Sequence, residues 1–214
     1  LPWVPRALAF VLCFFFLALF SQGSILPAFA LLCCTVMICL SFYLFSGPEL
    51  RKRAIEDTAT VALGFLYIGL PLSLLVLVDR ATRGNVWIFF LLTVIFFGDT
   101  AAFYCGRLLG RHKLYVAVSP GKTWEGAVGG FVISVLGGVF FSQIFGLHNS
   151  VWTIAMVSGV LSIAGQVGDL AESMIKRNYG VKDSGKILPG HGGFLDRVDA
   201  LLFAIPVFYA FVIW

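Results

Sequence analysis

Apolar residues fill this chain in blocks of 16 to 22, broken by short polar stretches. The blocks fall at about 7–22, 25–46, 59–78, 86–105, 126–147, 151–171 and 199–214. A helix needs about 20 residues to cross the hydrocarbon core, and shorter ones occur when packed within the protein. The pattern therefore predicts an all-α, polytopic transmembrane bundle of about seven spans. The fifth block is rich in glycine at "GAVGGF" and "LGG", which points to close helix packing there.

Composition strengthens this picture. Of 214 residues, 59% are hydrophobic and only 12% charged, with a mean hydropathy of +0.95. That charged share is about half of what a soluble domain carries. Placing the seven spans puts thirteen of the fifteen Lys and Arg residues on one side. They lie before span one (Arg6), after span two (Arg51–Arg53), after span four (Arg107, Arg111, Lys113, Lys122) and after span six (Lys176, Arg177, Lys182, Lys186, Arg197). Only Arg80 and Arg83 fall on the other side, so the basic side is expected to face the cytoplasm. Positive charge in short groups between apolar spans argues against nucleic acid as a partner. Cys13, Cys33, Cys34, Cys39 and Cys105 sit in apolar runs without metal-site spacing and read as small hydrophobes. The first apolar block lacks a small-residue exit and is followed at once by a second, so it reads as a first helix rather than a signal peptide. A start without Met and a stop at Trp214 inside an apolar run are what a clipped chain would show.

The polar residues that composition does not explain gather on the basic side. Asp169, Glu172, Ser173 and Lys176 are spaced i, i+3, i+4, i+7 and share one helix face. Asp99 precedes the first basic loop by two turns, and Asp196 and Asp199 open the last block. Acids at matching depth imply a polar pocket near the cytoplasmic surface, because an acid within a span usually faces the bundle interior. Hard oxygen donors suit Mg2+, which takes one or two carboxylates and completes its shell with phosphate and water. Two glycine loops, "SPGKTWEG" (Ser119–Gly126) and "PGHGGFLDR" (Pro189–Arg197), let backbone N–H groups approach an anion. Carboxylates, a metal and cations around such loops make a phosphoryl-handling site. Each residue has an ordinary alternative. Asp169 with Glu172 would also serve a transporter's ion site. Asp99, Asp196 and Asp199 would also serve as caps or salt-bridge partners, and the lysines as positive-inside residues. "PGKT" at Pro120–Thr123 resembles the tail of a phosphate loop, but Val116 stands where its first glycine belongs and no strand-to-helix context is expected, so that reading is rejected. His112 and His148 read as surface residues.

The stretch "SMIKRNYGVKDSGKILPGHGGFLDRVD" (Ser173–Asp199) closely resembles the signature of the phosphatidate cytidylyltransferases, or CDP-diacylglycerol synthases. The shared positions are Ser173, Lys176–Arg177, Lys182–Asp183, Pro189–Gly193, Asp196–Arg197 and Asp199. "GDTAAFYCGRLLGRHKL", "SPGKTWEGAVGG" and "GQVGDLAES" resemble the same family, so the likeness runs from Gly98 to the end. It implies N-terminal helices over 1–97 and a catalytic region over 98–214, with cytoplasmic loops 106–125 and 175–198. The implied reaction is CTP plus phosphatidic acid giving CDP-diacylglycerol and pyrophosphate, with Mg2+ required and a monovalent cation such as K+ as a possible companion. Asp169 and Asp196 are the implied metal ligands, with Asp99, Glu172 and Asp199 holding water or a second ion. Lys176, Arg177, Lys182, Lys186, Arg197 and His191 would engage the triphosphate and lipid head. Ser119, Lys122, Thr123, Gly190, Gly192 and Gly193 would line the nucleotide. The resemblance further implies a bacterial inner-membrane protein, membrane lipids around it and a homodimer. The weighed alternatives are transfer to another lipid phosphate (polyprenyl or ether lipid), an ion-coupled transporter and a structural protein.

Overall fold

The computed structural model describes residues 2–22, 25–147, 149–185 and 193–213. The chain divides into two compact units, Leu1–Arg80 and Ala81–Trp214.

The N-terminal unit contains α1 (Trp3–Ser21), α2 (Ile25–Leu44), the short α3 (Pro48–Arg51), α4 (Ala54–Gly64) and α5 (Leu70–Asp79). A π-helical turn, Phe65–Gly69, joins α4 to α5 without a break. Its cause lies in Pro71, which has no N–H to donate and whose ring crowds the carbonyl four residues back; widening one turn relieves the clash. Leu12, Phe16, Phe20 and Phe65 form the core of this unit. Phe16 stacks on Phe20 at 4.6 Å and meets Phe65 edge-on at 4.4 Å. Buried Asp57 accepts the Tyr43 hydroxyl at 2.6 Å and the Arg53 guanidinium at 3.4 Å, which ties α2 to α4.

The C-terminal unit contains α6 (Gly84–Leu109), β1 (Lys113–Tyr115), β2 (Ser119–Thr123), α7 (Trp124–Phe145), α8 (Val151–Asn178) and α9 (Leu195–Ile213). Small residues at four-residue spacing set the α6–α7 contact: Gly98, Ala102 and Gly106 face Gly126, Gly130 and Ser134. A Cβ on Gly130 would lie 2.9 Å from the Gly98 carbonyl oxygen, and one on Gly126 2.7 Å from that of Ala102, so only glycine permits this approach. The Ser134 hydroxyl donates to the Val94 carbonyl at 2.8 Å across the same seam. Gln166 of α8 donates to the Ala127 carbonyl of α7 at 3.1 Å. Gly168 lies against Asp199 and Phe203 of α9. Successive helices are therefore antiparallel, and the end of α6, start of α7, end of α8 and start of α9 meet at one end. At the other end Arg83 clamps the last carbonyls of α7, donating to Gly146 at 2.7 Å and Phe145 at 2.5 Å.

Among the described residues, five helical segments are long and apolar enough to cross a membrane: Trp3–Phe20, Ala54–Asp79, α6, α7 and α8. Phe29–Leu44 is a shorter apolar helix. In α9 the charges Asp196, Arg197 and Asp199 fall in the first turns, and Ala200–Ile213 after them is uncharged. The bundle is all-α as expected, with one small addition, the antiparallel β1–β2 hairpin. The hairpin supplies the strand-to-helix context thought absent at "PGKT", since β2 runs directly into α7. That strand has a single partner, and Val116 still lacks the glycine a phosphate loop needs.

Candidate active site

The hairpin is the first element of the site. Lys113 pairs with Thr123 and Tyr115 with Ser119, so Pro120, Gly121 and Lys122 bulge opposite Leu114 alone. Bulges re-aim side chains, and the Lys122 ammonium reaches Asp169 of α8, with Nζ 2.6 Å from Oδ2. The charges of Asp99 on α6 and Asp199 on α9 act on Asp169 and Lys122 as well. Asp169 thus holds the ammonium directly, with Asp99 and Asp199 within electrostatic reach.

One turn along α8 a second cluster forms. Glu172 is 1% exposed and pairs with Lys176, whose Nζ also lies 2.6 Å from Asp196 Oδ1. Asp196 accepts from the Ser184 N–H at 2.9 Å, the Ser184 hydroxyl at 2.8 Å and the Gly193 N–H at 2.7 Å. Partial burial alone would raise the Asp196 carboxyl. The Lys176 ammonium and the Gly193 and Ser184 donors outweigh that effect and hold it well below the usual carboxylate range. A Cβ on Gly193 would sit 2.2 Å from Ser184 Oγ, so this closure needs glycine there. The α8 terminus feeds it: Gly180, at φ +67°, donates to Arg177 O and Val181 to Lys176 O, a Schellman stop that turns the chain toward Lys182–Ser184.

The other sequence candidates take these places. Arg177 donates from Nε to the Val118 carbonyl at 3.5 Å and from Nη1 to Val181 at 3.4 Å, which links the hairpin turn to the end of α8. Lys182 and Arg197 are exposed, and Ser119 is half-buried in β2. Thr123 is buried and caps α7 through the Gly126 N–H. Lys186, Gly190, His191 and Gly192 lie outside the described residues. Two features escaped sequence reasoning. Ser184 stands in the "KDSG" run twelve residues before Asp196, and the His112–Glu125 pair closes the hairpin base with Nδ1 2.6 Å from Oε1.

Among the described residues, no three of His, Cys, Asp and Glu form a ready metal cage. Mg2+ asks for less, since one or two carboxylates, phosphate and water suffice. Asp169, Glu172 and Asp196, paired with Lys122 and Lys176, are hard oxygen donors of the kind that a divalent ion takes.

Residues 2–214 match the family described as "Cytidylyltransferase family". The chain belongs to this family. It is similar to the phosphatidate cytidylyltransferase of Staphylococcus epidermidis, 39% identical over 173 residues, covering 80% of this chain and 66% of the relative. The Staphylococcus saprophyticus protein of the same name gives the same identity and coverage. That of Staphylococcus aureus is 36% identical over 173 residues, again 80% and 66%. The matched stretch thus spans just under two thirds of these relatives. Family membership accounts for a polytopic membrane chain whose polar residues gather at one end of a helical unit, and the relatives are bacterial.

Proposed function

We propose that this protein transfers CMP from CTP to phosphatidic acid, with residues 98–214 as the catalytic region. A phosphate oxygen of the lipid bonds to the α-phosphorus of CTP. The bond to the bridging α–β oxygen breaks, and pyrophosphate leaves with that electron pair. No base is needed, because a phosphate monoester is largely ionised near pH 7. The protein's task is alignment and charge neutralisation.

Asp169, with Asp99 and Asp199 beside it, would hold Mg2+, and Asp196 would join if its Ser184 and Gly193 contacts open. Bound there, Mg2+ neutralises the triphosphate oxygens. Lys122, Lys176 and Arg177 would place their charges on the nucleotide phosphates and lipid head. The exposed Lys182 and Arg197 would meet the anionic head from solvent. The hairpin would cover the nucleotide from the α7 side. Positive-inside asymmetry supports an orientation with this end toward the cytoplasm, where CTP would enter, with the acyl chains remaining in the bilayer.

The observation that carries this reading is the convergence of Lys122, Asp169, Lys176 and Asp196, from a hairpin and two helices, at one end of the unit. The test is purified protein in detergent with Mg2+, phosphatidic acid and CTP labelled at its α-phosphate. Label should pass into lipid with equimolar pyrophosphate. Label passing only to a polyprenyl or ether-lipid phosphate would move the substrate, and no lipid label with any acceptor would refute the reading.

A further inference from the structure

His112 and Glu125 form a contact that the proposed reaction does not use. Glu125 opens α7, and its carboxylate receives His112 from two directions. The His112 backbone N–H donates to Oε1 at 3.2 Å and Oε2 at 3.3 Å, and ring Nδ1 lies 2.6 Å from Oε1. In return the Trp124 N–H donates to the His112 carbonyl at 2.9 Å. His112 lies one residue and Glu125 two residues outside the Lys113–Thr123 rung, and Lys122 lies one residue inside it. Thr123 is already committed: its hydroxyl caps α7, and its side chain sits under Gly106 and Gly110. The β2 end of the hairpin is thus fixed to the α6–α7 seam, whereas the β1 end enters from exposed Arg111 and is held by Glu125. The His112 side chain is 78% exposed, and pairs so exposed contribute little to stability. What this one joins is the base of the strand pair from which Lys122 bulges.

We propose that Glu125 and His112 are positioning residues: they lock the hairpin base so that the Lys122 ammonium is held at Asp169. Its purpose rests on the function proposed above, with Lys122 meeting the nucleotide phosphates.

Two readouts separate the clasp from that function. Hydrogen exchange across residues 113–123 needs no substrate. The Glu125→Ala protein should exchange these amides about tenfold faster, as expected for a loosened local unit. Its KM for CTP should rise about tenfold, the scale of a small misplacement, with a lesser change in kcat. Glu125→Gln, which keeps an acceptor for the His112 N–H, should recover most of both. If Glu125→Ala does not fold, His112→Ala against His112→Asn gives the same comparison. A Glu125→Ala/Lys122→Ala double variant should be no worse than Lys122→Ala alone, since Glu125 acts through that lysine. Unchanged exchange and KM in Glu125→Ala, or losses that multiply in the double variant, would overturn the proposal. Faster exchange in a protein whose wild type transfers no CMP would uphold the clasp and refute the function.

Discussion

In the N-terminal unit Phe16, Phe20, Phe65 and Leu12 fill the space between helices with side chains, while in the C-terminal unit Gly126 and Gly130 leave that space to the backbone of Ala102, Gly106 and Gly98. Lipid tails are as apolar as the helices they surround, so neither unit gains much from hydrophobic exclusion and both depend on packing. Rings tolerate small adjustments. Backbone in contact with backbone does not, and it fixes helix position tightly. The glycine-packed unit is the one that gathers Lys122, Asp169, Lys176 and Asp196. Sites held on rigidly placed elements keep their geometry, and that is what the proposed alignment of two phosphates would require.

Substitutions sharpen this contrast. Phe16→Ala should be the most costly, about 3 kcal/mol, near the low end for a buried ring because lipid does not punish exposed apolar surface. Thermal unfolding in detergent reads it, and Phe16→Leu should recover most of the loss. Gly126→Ala should cost about 2 kcal/mol, the range of an overpacked core, since its Cβ meets the Ala102 carbonyl oxygen at 2.7 Å. It should also lower CMP transfer, because α7 carries the hairpin. Normal turnover in Gly126→Ala would break the link between glycine packing and site geometry. Gly64→Ala is the control: nothing lies within 4 Å of its Cβ, so it should be neutral or stabilise α4 by about 1 kcal/mol or less.

Much of this was legible in the sequence. Long apolar blocks located the helices because hydrocarbon thickness imposes their length, and the glycine richness of the fifth block announced close helix packing. Asp169, Glu172 and Lys176 were found on one face because helical periodicity joins residues close in sequence. The hairpin was not found: β1 has three residues, and Pro120 and Gly121 in β2 are poor strand formers that fit only at an edge or bulge. His112–Glu125 and Ser184–Asp196 were also hidden, because partners 13 and 12 residues apart across a turn follow no repeat. The division of the acids between Lys122 and Lys176 could not be read either, since it depends on where the bulge aims Lys122.

The measurement closest to the central claim is CMP transfer to phosphatidic acid by Asp169→Asn, run beside its thermal unfolding with and without Mg2+. The account predicts unfolding at the wild-type temperature, a weakened Mg2+ response and turnover at least about 100-fold lower, close to 3 kcal/mol of lost transition-state stabilisation. Wild-type turnover in a folded Asp169→Asn protein would contradict it.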